Sequence, residues 1–260
     1  MILAVDINNA NVVFSLMEEG KVLFISRLSS DKSRTADEYA VLLEWAFRQH
    51  DFDIKKVEGS IISSVVPPLT ATIKEAVMIV TRVSPLIIGP GVKTGLNIRL
   101  DDPTELGGDF VCGAVAAIAE YRMPCVIVEL GTAIAMGILD KFGNYIGGII
   151  CPGPMVSQEA LARGAAMLSN VSITATPQVI CKSTATCTQS GIVHGSAAMI
   201  DGLISRVESE LGESVSVVVT GDWADTITPC CKREGMITDK ELMMRGLWLI
   251  YRKNRRAQSI

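Results

Sequence analysis

The hydrophobic pattern of the first half of the chain predicts three strands followed by alternating helices and strands. Short apolar runs predict strands over residues 2–5, 11–16 and 22–27, with a turn over 18–21. Apolar side chains at helical spacing predict a helix over 35–48, and Thr35 with Glu38 forms a capping box at its start. The pattern then predicts a strand over 59–66, a helix over 70–82, a strand over 85–88 and a buried helix over 109–121.

The second half of the chain begins with a similar pattern. A buried strand over 125–128 ends in Glu129, as the first strand ends in Asp6, and a turn glycine stands fourteen residues after each acid. Small or polar residues follow the two acids at matching offsets: Asn8 and Gly131, Asn9 and Thr132, Ala10 and Ala133. Such repetition predicts a duplicated domain, with one copy over 1–121 and the other over 122–260.

The rest of the second half alternates between the same two kinds of element. A loop rich in Gly and Pro is predicted over 147–154, helices over 157–167 and 191–211, and a strand over 215–219 that leads into Thr220-Gly221-Asp222. Strands that alternate with helices predict an α/β fold with mixed sheets.

Composition narrows the class of protein. The 260 residues are 48% hydrophobic and 20% charged, which excludes a disordered or fibrous chain and allows two domains. The net charge of -4 argues against a nucleic-acid partner, and the basic tail residues 252–256 are interpreted as a solvated helix end. No apolar run is long enough for a membrane helix, and no signal peptide is visible.

Seven cysteines in apolar surroundings, without metal-ligand spacing, are typical of free thiols in a reducing cytosol. The vicinal pair Cys230 and Cys231 leaves two interpretations open, a redox site or an ordinary loop. We therefore predict a cytoplasmic protein without nucleic-acid or membrane partners.

Two acids at the ends of two related strands suit the binding of a metal nucleotide. Carboxylates hold hydrated Mg²⁺, and tight loops let backbone N–H groups approach phosphate oxygens. Either acid alone would be interpreted as a turn residue, but Asp6 and Glu129 in matching positions favour a functional role.

Several strings resemble the type III pantothenate kinase family. They are Arg27-Leu-Ser-Ser-Asp31, Arg34-Thr-Ala-Asp-Glu-Tyr39, Ile62-Ser-Ser-Val-Val-Pro-Pro-Leu-Thr70, Gly89-Pro-Gly-Val-Lys-Thr-Gly-Leu-Asn-Ile98, Gln189-Ser-Gly-Ile-Val193 and Val219-Thr220-Gly221. The match follows the order of the family over residues 1–254.

The resemblance implies a fold and an activity. Two ribonuclease-H-like domains, as in actin-like ATPases and the acetate and sugar kinases, would hold ATP in a cleft between them. The family phosphorylates the 4′-hydroxyl of pantothenate with ATP, the first step toward coenzyme A. The resemblance also implies that ATP, Mg²⁺ and a monovalent cation (K⁺ or NH₄⁺) are required and that the protein is a homodimer.

The resemblance also implies roles for individual residues. Asp109 would be the general base, and Glu129 takes the place of the aspartate that holds the cation. The first phosphate loop, and with it ATP binding, would comprise Asp6, Ile7, Asn8, Asn9, Ala10 and Asn11, with Thr132 from the second loop. The substrate residues would be Leu100, Gly107, Gly108, Asp109, Phe110 and Thr184, the last reaching the substrate of the neighbouring subunit.

Six positions depart from the family pattern, and each falls on a ligand-contacting position: Asn8, Ala10, Leu100, Phe110, Glu129 and Asp222. Asn tolerates positive φ, so we expect the first loop to keep its turn while the Asn8 side chain crowds the phosphates. Phe110 replaces the arginine that grips pantothenate, and Leu100 replaces a tyrosine. Two hypotheses follow: an active pantothenate kinase, or an impaired relative that serves as a binding or regulatory protein.

Overall fold

The computed structural model describes residues 1–165 and 167–257, and the chain divides into two compact units. The first comprises Met1–Leu96, Asp101–Ala119 and the chain from Glu241 onward. The second comprises Asn97–Leu100 and Glu120–Lys240. The units differ from the predicted domains mainly at the C-terminus, where the last helix belongs to the first unit. The division of the chain into domains over 1–121 and 122–260 stays a prediction.

The first unit is built on a five-stranded mixed sheet with the order β3-β2-β1-β4-β5. Neighbours β1, β2 and β3 are antiparallel, whereas β4 runs parallel to β1 and β5 runs parallel to β4. The predicted turn before β3 is confirmed, with Glu19 and Gly20 at positive φ. The strands are β1 (Ile2–Ile7), β2 (Asn11–Glu18), β3 (Lys21–Ser29), β4 (Gly59–Ser64) and β5 (Leu86–Ile87).

The second unit repeats this topology in a sheet with the order β11-β10-β7-β8-β9-β6. Here β7, β8 and β9 are the antiparallel strands, and β10 and β11 continue the sheet in parallel from β7. Two identical orders, with β6 added at one edge, confirm the predicted α/β fold. The strands are β6 (Asn97–Ile98), β7 (Cys125–Leu130), β8 (Ala133–Leu139), β9 (Asn144–Pro152), β10 (Ser216–Thr220) and β11 (Met236–Thr238).

One predicted loop is wrong. Residues 147–152 are part of β9, because Gly147 and Gly148 pair with Ile138 and Gly137 of β8 in the antiparallel ladder. Glycine and proline content indicated a loop, but strand pairing overrides that local preference.

Helices complete each unit, and the Thr35–Glu38 capping box is confirmed at the start of the first. Helix α5 begins at Thr184 rather than at 191, because a second capping box, Ser183 with Thr186, starts it earlier than its apolar periodicity. No described helix combines the length and apolar character needed to cross a membrane. The helices are α1 (Ala36–Gln49), α2 (Pro67–Thr81), α3 (Gly108–Glu120), α4 (Pro154–Gly164), α5 (Thr184–Leu211), α6 (Ala224–Ile227) and α7 (Leu242–Ala257).

Helix α7 packs on strands β1 and β4 of the first unit. Its residues Leu242, Leu247 and Ile250 are fully buried, and Gly246 lies against the main chain of Cys112 in α3. Burial of this apolar face explains why the end of the chain joins the unit that contains its beginning.

Candidate active site

The carboxylate of Asp6 lies near the end of β1 and is 4% exposed. The side-chain amide of Asn8 donates a hydrogen bond to Asp6 Oδ2 at 2.7 Å. Asp6 Oδ1 is buried and has no hydrogen-bond partner among the described residues. In the parallel pair of β1 and β4, Asp6 stands opposite Ser63, whose buried hydroxyl also lacks a partner of good geometry. A buried oxygen without a partner is costly, so a ligand that bound at this point would remove that cost.

The surroundings raise the pKa of Asp6 from 3.8 to about 6. Burial is the main cause, and the nearby charge of Asp109 adds to it; the Asn8 amide and the Ser63 hydroxyl act in the opposite direction. Asp6 and Asp109 are therefore close enough to repel each other, which places two candidate residues in one cluster.

The predicted first phosphate loop is closed by a hydrogen bond from the Asn8 N–H to the Asn11 carbonyl oxygen at 2.8 Å. This bond keeps the turn that we expected of the loop, and Asn8 makes it without a positive φ, which among the described non-glycine residues only Glu19, Asp51 and Arg82 have. The Asn8 side chain is turned back onto Asp6 instead of standing free over the loop, while Asn9 and Ala10 are exposed.

The predicted substrate loop leads into helix α3, of which Asp109 is the second residue. Asp109 Oδ1 accepts a hydrogen bond from the N–H of Phe110 at 2.7 Å. A Cβ atom on Gly107 would lie 2.3 Å from Asp109 Oδ1, and one on Gly108 would lie 2.9 Å from Ser63 Oγ. Both glycines are therefore required for the Asp109 carboxylate and the Ser63 hydroxyl to keep these positions.

Burial raises the pKa of Asp109, against the lowering effect of the Phe110 N–H. The buried thiol of Cys112, one turn further along α3, feels the same field: burial and the charges of Asp6 and Asp109 raise its pKa well above the ordinary value. The first unit thus holds two carboxylates with raised proton affinity beside a neutral thiol, a setting suited to proton transfer.

The second unit presents the matching loop between β7 and β8. The Gly131 N–H donates to the Ala133 carbonyl oxygen at 3.0 Å, so this loop is one residue shorter than the loop closed between Asn8 and Asn11. A Cβ on Gly153 would lie 2.2 Å from the carbonyl oxygen of Thr132, and one on Gly221 would lie 2.6 Å from that of Leu130. Two glycines therefore back this loop and fix its main chain, while the Thr132 side chain is exposed.

The structure brings together some of the predicted site residues within each unit. Asp6, Asn8 and Asp109 form one cluster in the first unit, and Glu129 lies two residues before Gly131 in the second, with its Oε1 3.8 Å from a Cβ built on that glycine. Other predicted residues are not placed in either cluster: Leu100 is half-buried after β6, Thr184 is exposed at the start of α5, and Asp222 is exposed after β10.

Sequence reasoning missed Ser63 as a site residue, although a signal was present. Ser63 pairs with Asp6 across parallel strands, and Thr220 pairs with Glu129 in the repeated unit. An acid and a hydroxyl thus recur on neighbouring strands in both copies. Finding that pair from sequence requires the strand register, which only the duplication suggests.

The geometry also tests whether the residues fit Mg²⁺. No group of three or more His, Cys, Asp or Glu side chains in the described part of the chain forms a ready metal cage. Nucleotide-bound Mg²⁺ needs only one or two carboxylates, because phosphates and water supply the rest. The partnerless Oδ1 of Asp6 fits that role.

Comparison with solved structures defines the class of fold. The chain resembles a dehydratase activator from Clostridium difficile solved with ADPNP (TM-score 0.59, 12% identity, covering 100% of this chain and 97% of that one). It also resembles MreB 5 of Spiroplasma citri bound to AMPPNP (TM-score 0.55, 9% identity, covering 99% of this chain and 98% of that one). A third similar structure is the ROK hexokinase of Thermus thermophilus (TM-score 0.53, 12% identity, covering 98% of this chain and 99% of that one). With its repeated sheet topology, the protein has the duplicated ribonuclease-H-like fold of the actin-like ATPases and sugar kinases.

The sequence comparisons identify the family within that class. The sequence model of type III pantothenate kinases matches residues 2–206. A type III pantothenate kinase from Exiguobacterium sp. (strain ATCC BAA-1283 / AT1b) is 38% identical over 256 residues, which cover 98% of this chain and 100% of that protein. The chain belongs to the type III pantothenate kinase family, which confirms the resemblance seen in its motifs.

Proposed function

We propose that this protein transfers the γ-phosphoryl group of ATP to the 4′-hydroxyl of pantothenate. Family membership over nearly the whole chain supports the substrates. The observation that carries the proposal is the cluster of Asp6 and Asp109 in the first unit, where burial and mutual repulsion raise the pKa of Asp6 and burial raises that of Asp109.

Asp109 is the general base in this proposal. Its carboxylate accepts the hydroxyl proton as the hydroxyl oxygen attacks the phosphorus, and its raised pKa increases its proton affinity. The hydrogen bond from the Phe110 N–H holds Oδ1, and the bare faces of Gly107 and Gly108 leave room for the carboxylate beside Ser63. The backbone geometry at the start of α3 thus fixes the position of the carboxylate that accepts the proton.

Asp6 and the two tight loops bind the nucleotide in this proposal. When bound, Mg²⁺ would neutralise the charge that develops on the transferred phosphoryl group. Asp6 would hold that ion, with Asn8 orienting the carboxylate through Oδ2. Backbone N–H groups of the exposed residues 9–10 and 132 are suited to phosphate oxygens. A monovalent cation beside Glu129, and a cytoplasmic location, stay predictions from the sequence.

In this proposal, the residues that depart from the family pattern change the affinity for the substrate and do not change the chemical step. Phe110 contributes its N–H to Asp109 but no charge to pantothenate. A hydrogen bond to a charged group is worth about 1.5–3 kcal/mol, so we expect weaker pantothenate binding than in relatives with arginine there. The comparisons favour the active kinase, and none favours the impaired relative.

The test is a coupled assay with ATP, Mg²⁺, K⁺ and pantothenate, comparing the protein with Asp109→Asn. We expect the variant to lose at least about 10²-fold in kcat, because an amide cannot accept the proton. Asp37→Asn is the matched control, since Asp37 is the second residue of α1, as Asp109 is of α3, but is exposed. Equal activity of Asp109→Asn and Asp37→Asn would refute the role of Asp109, and an inactive unmodified protein would favour the impaired relative.

We propose further that two copies of the chain pair, with Thr184 of one contacting the pantothenate of the other. The support is family membership and the exposure of Thr184 at the start of α5. Sedimentation at micromolar concentration should show a particle of twice the 27.9 kDa chain mass. A stable monomer at that concentration would remove the role of Thr184 in a neighbouring site.

A further inference from the structure

Two cysteines flank the N-terminal cap of α5. Cys181 lies just before the cap residue Ser183, and Cys187 lies at the end of the first helical turn. The Cys187 thiol donates to the main-chain carbonyl oxygen of Cys181 with a sulfur–oxygen distance of 3.4 Å, and the Cys181 thiol donates to the Gln178 carbonyl oxygen at 3.4 Å. The side chain of one cysteine therefore already reaches the main chain of the other.

Four of the other five cysteines are in unreactive settings. Cys112 and Cys125 are buried, and burial raises the pKa of both thiols. Burial also raises the pKa of Cys230 and, with the charge of Asp201, that of Cys231 to about 12. Because the thiolate is the reactive species, the vicinal pair is poorly suited to redox chemistry. Cys181 is half-buried and Cys187 is exposed, so an oxidant has access to both.

We propose that Cys181 and Cys187 form a reversible oxidation site, in which a peroxide joins the two sulfurs in an intrachain disulfide that weakens pantothenate binding. The Cys187 thiolate attacks one peroxide oxygen, the O–O bond breaks, and a sulfenic acid and hydroxide result. The Cys181 thiolate then attacks the sulfenic sulfur, the S–O bond breaks, and the departing hydroxide takes a proton to become water. The peroxide gains two electrons and each thiol gives up one. A thiol reductant reverses the bond.

The expected loss of pantothenate affinity rests on the proposed function, and it follows from the residues that lie between the two cysteines. The ring that the disulfide closes contains Thr184 and the capping box, in which the Thr186 N–H donates to Ser183 Oγ at 3.2 Å and the Ser183 N–H donates to Thr186 Oγ1 at 3.3 Å. Both sulfurs must leave their carbonyl acceptors to bond to each other. The main chain around Thr184 is then pulled toward a new geometry, and the contact of its hydroxyl is lost.

The disulfide can be detected without any assay of activity. Trypsin cuts after Lys182, so Cys181 falls in the peptide 164–182 and Cys187 in the peptide 183–206, and each peptide has no other cysteine. Mass spectrometry of the full-length protein treated with hydrogen peroxide should show these two peptides joined, and a thiol count should show that two of the seven thiols are lost. A denaturing, non-reducing gel should show no disulfide-linked pair of chains. Cys187→Ser should abolish the joined peptide, whereas Cys151→Ser, at the remaining half-buried cysteine, should not.

Activity is the second measurement. Oxidation should raise the KM for pantothenate about tenfold, the size of one lost hydrogen bond, with the KM for ATP unchanged and full recovery in dithiothreitol. Cys187→Ser should keep its KM after peroxide. Absence of the joined peptides, or joining between two chains, would overturn the proposal, as would a disulfide that leaves the KM for pantothenate unchanged. A protein inactive even when reduced would instead refute the proposed function, and the peptide result would still decide whether the disulfide forms.

Discussion

Single residues decide the electrostatics of the candidate site, and Asp6 shows this most directly. Its folded pKa of about 6 lies above the unfolded value of 3.8. A raised folded pKa means that the contribution of this group to stability is present below about pH 4 and is lost as the pH rises through about 6. At neutral pH the protein therefore carries a buried charge that costs stability, which is typical of a site kept for a ligand.

We expect Asp6→Asn to stabilise the metal-free protein at pH 7.5. Two pKa units correspond to about 3 kcal/mol, and an asparagine carbonyl can still accept the Asn8 amide hydrogen bond. Urea denaturation with a chelator at pH 4.5 and 7.5 measures this, with the exposed Asp37→Asn as a control that should change neither value. An equal loss of stability in the variant at both pH values would contradict the proposed burial of the charge.

Residue identities were predictable where a motif names them and not where the register decides. Asp6 was predicted because an acid ends each of two similar strands, and Asp109 because the family motif marks its position. Ser63 was missed because its importance comes from standing opposite Asp6 across two strands that are far apart in sequence. The turn of the first loop was predictable, but the hydrogen bond from the Asn8 amide to Asp6 was not, because tolerance of positive φ in the backbone does not reveal a side-chain partner.

At the scale of elements, local signals gave the right answer wherever they agreed with tertiary packing. The capping box at Thr35 fixed the start of α1, and the turn at Glu19 and Gly20 fixed the first hairpin. The start of α5 and strand β9 were not predicted well, because the first turns of α5 lack apolar periodicity and β9 contains Gly147 and Gly148. Capping and strand pairing, rather than propensity, define those elements.

Close contact between α7 and α3 gives an element-scale prediction. A Cβ on Gly246 would lie 1.9 Å from the Cys112 carbonyl oxygen, and main chain cannot move aside as a flexible side chain can. We expect Gly246→Ala to lower the free energy of unfolding by about 1–3 kcal/mol or more. Gly195→Ala in α5 is the matched control: nothing lies within 4 Å of its Cβ, so it should gain about 0.5–1 kcal/mol. Chemical denaturation of both variants decides, and equal effects would contradict the contact.

At the scale of the whole molecule, the duplication was predictable and the path of the chain through it was not. The repeated acids and turn glycines pointed to two similar units, and the two sheet orders agree. The assignment of α7 to the first unit depends on the burial of Leu247 and Ile250, which a linear division of the sequence cannot express.

Hydrogen exchange on the full-length protein can test that organisation. If α7 completes the first unit, its amides should open together with those of β1 and β4, on which it packs, and with the same free energy. Gly246→Ala should then speed exchange in α7, β1 and β4 while leaving β7 and β10 nearly unchanged, since these two strands pair with each other in the second unit. The amides of α7 could instead open with those of β7 and β10, with exchange rates that Gly246→Ala leaves unchanged. In that case the division of the chain at 121 would describe its cooperative units better. Because Asp6 lies near the end of β1 and Cys112 lies under α7, the first result would also mean that the last helix stabilises the acid cluster proposed for phosphoryl transfer.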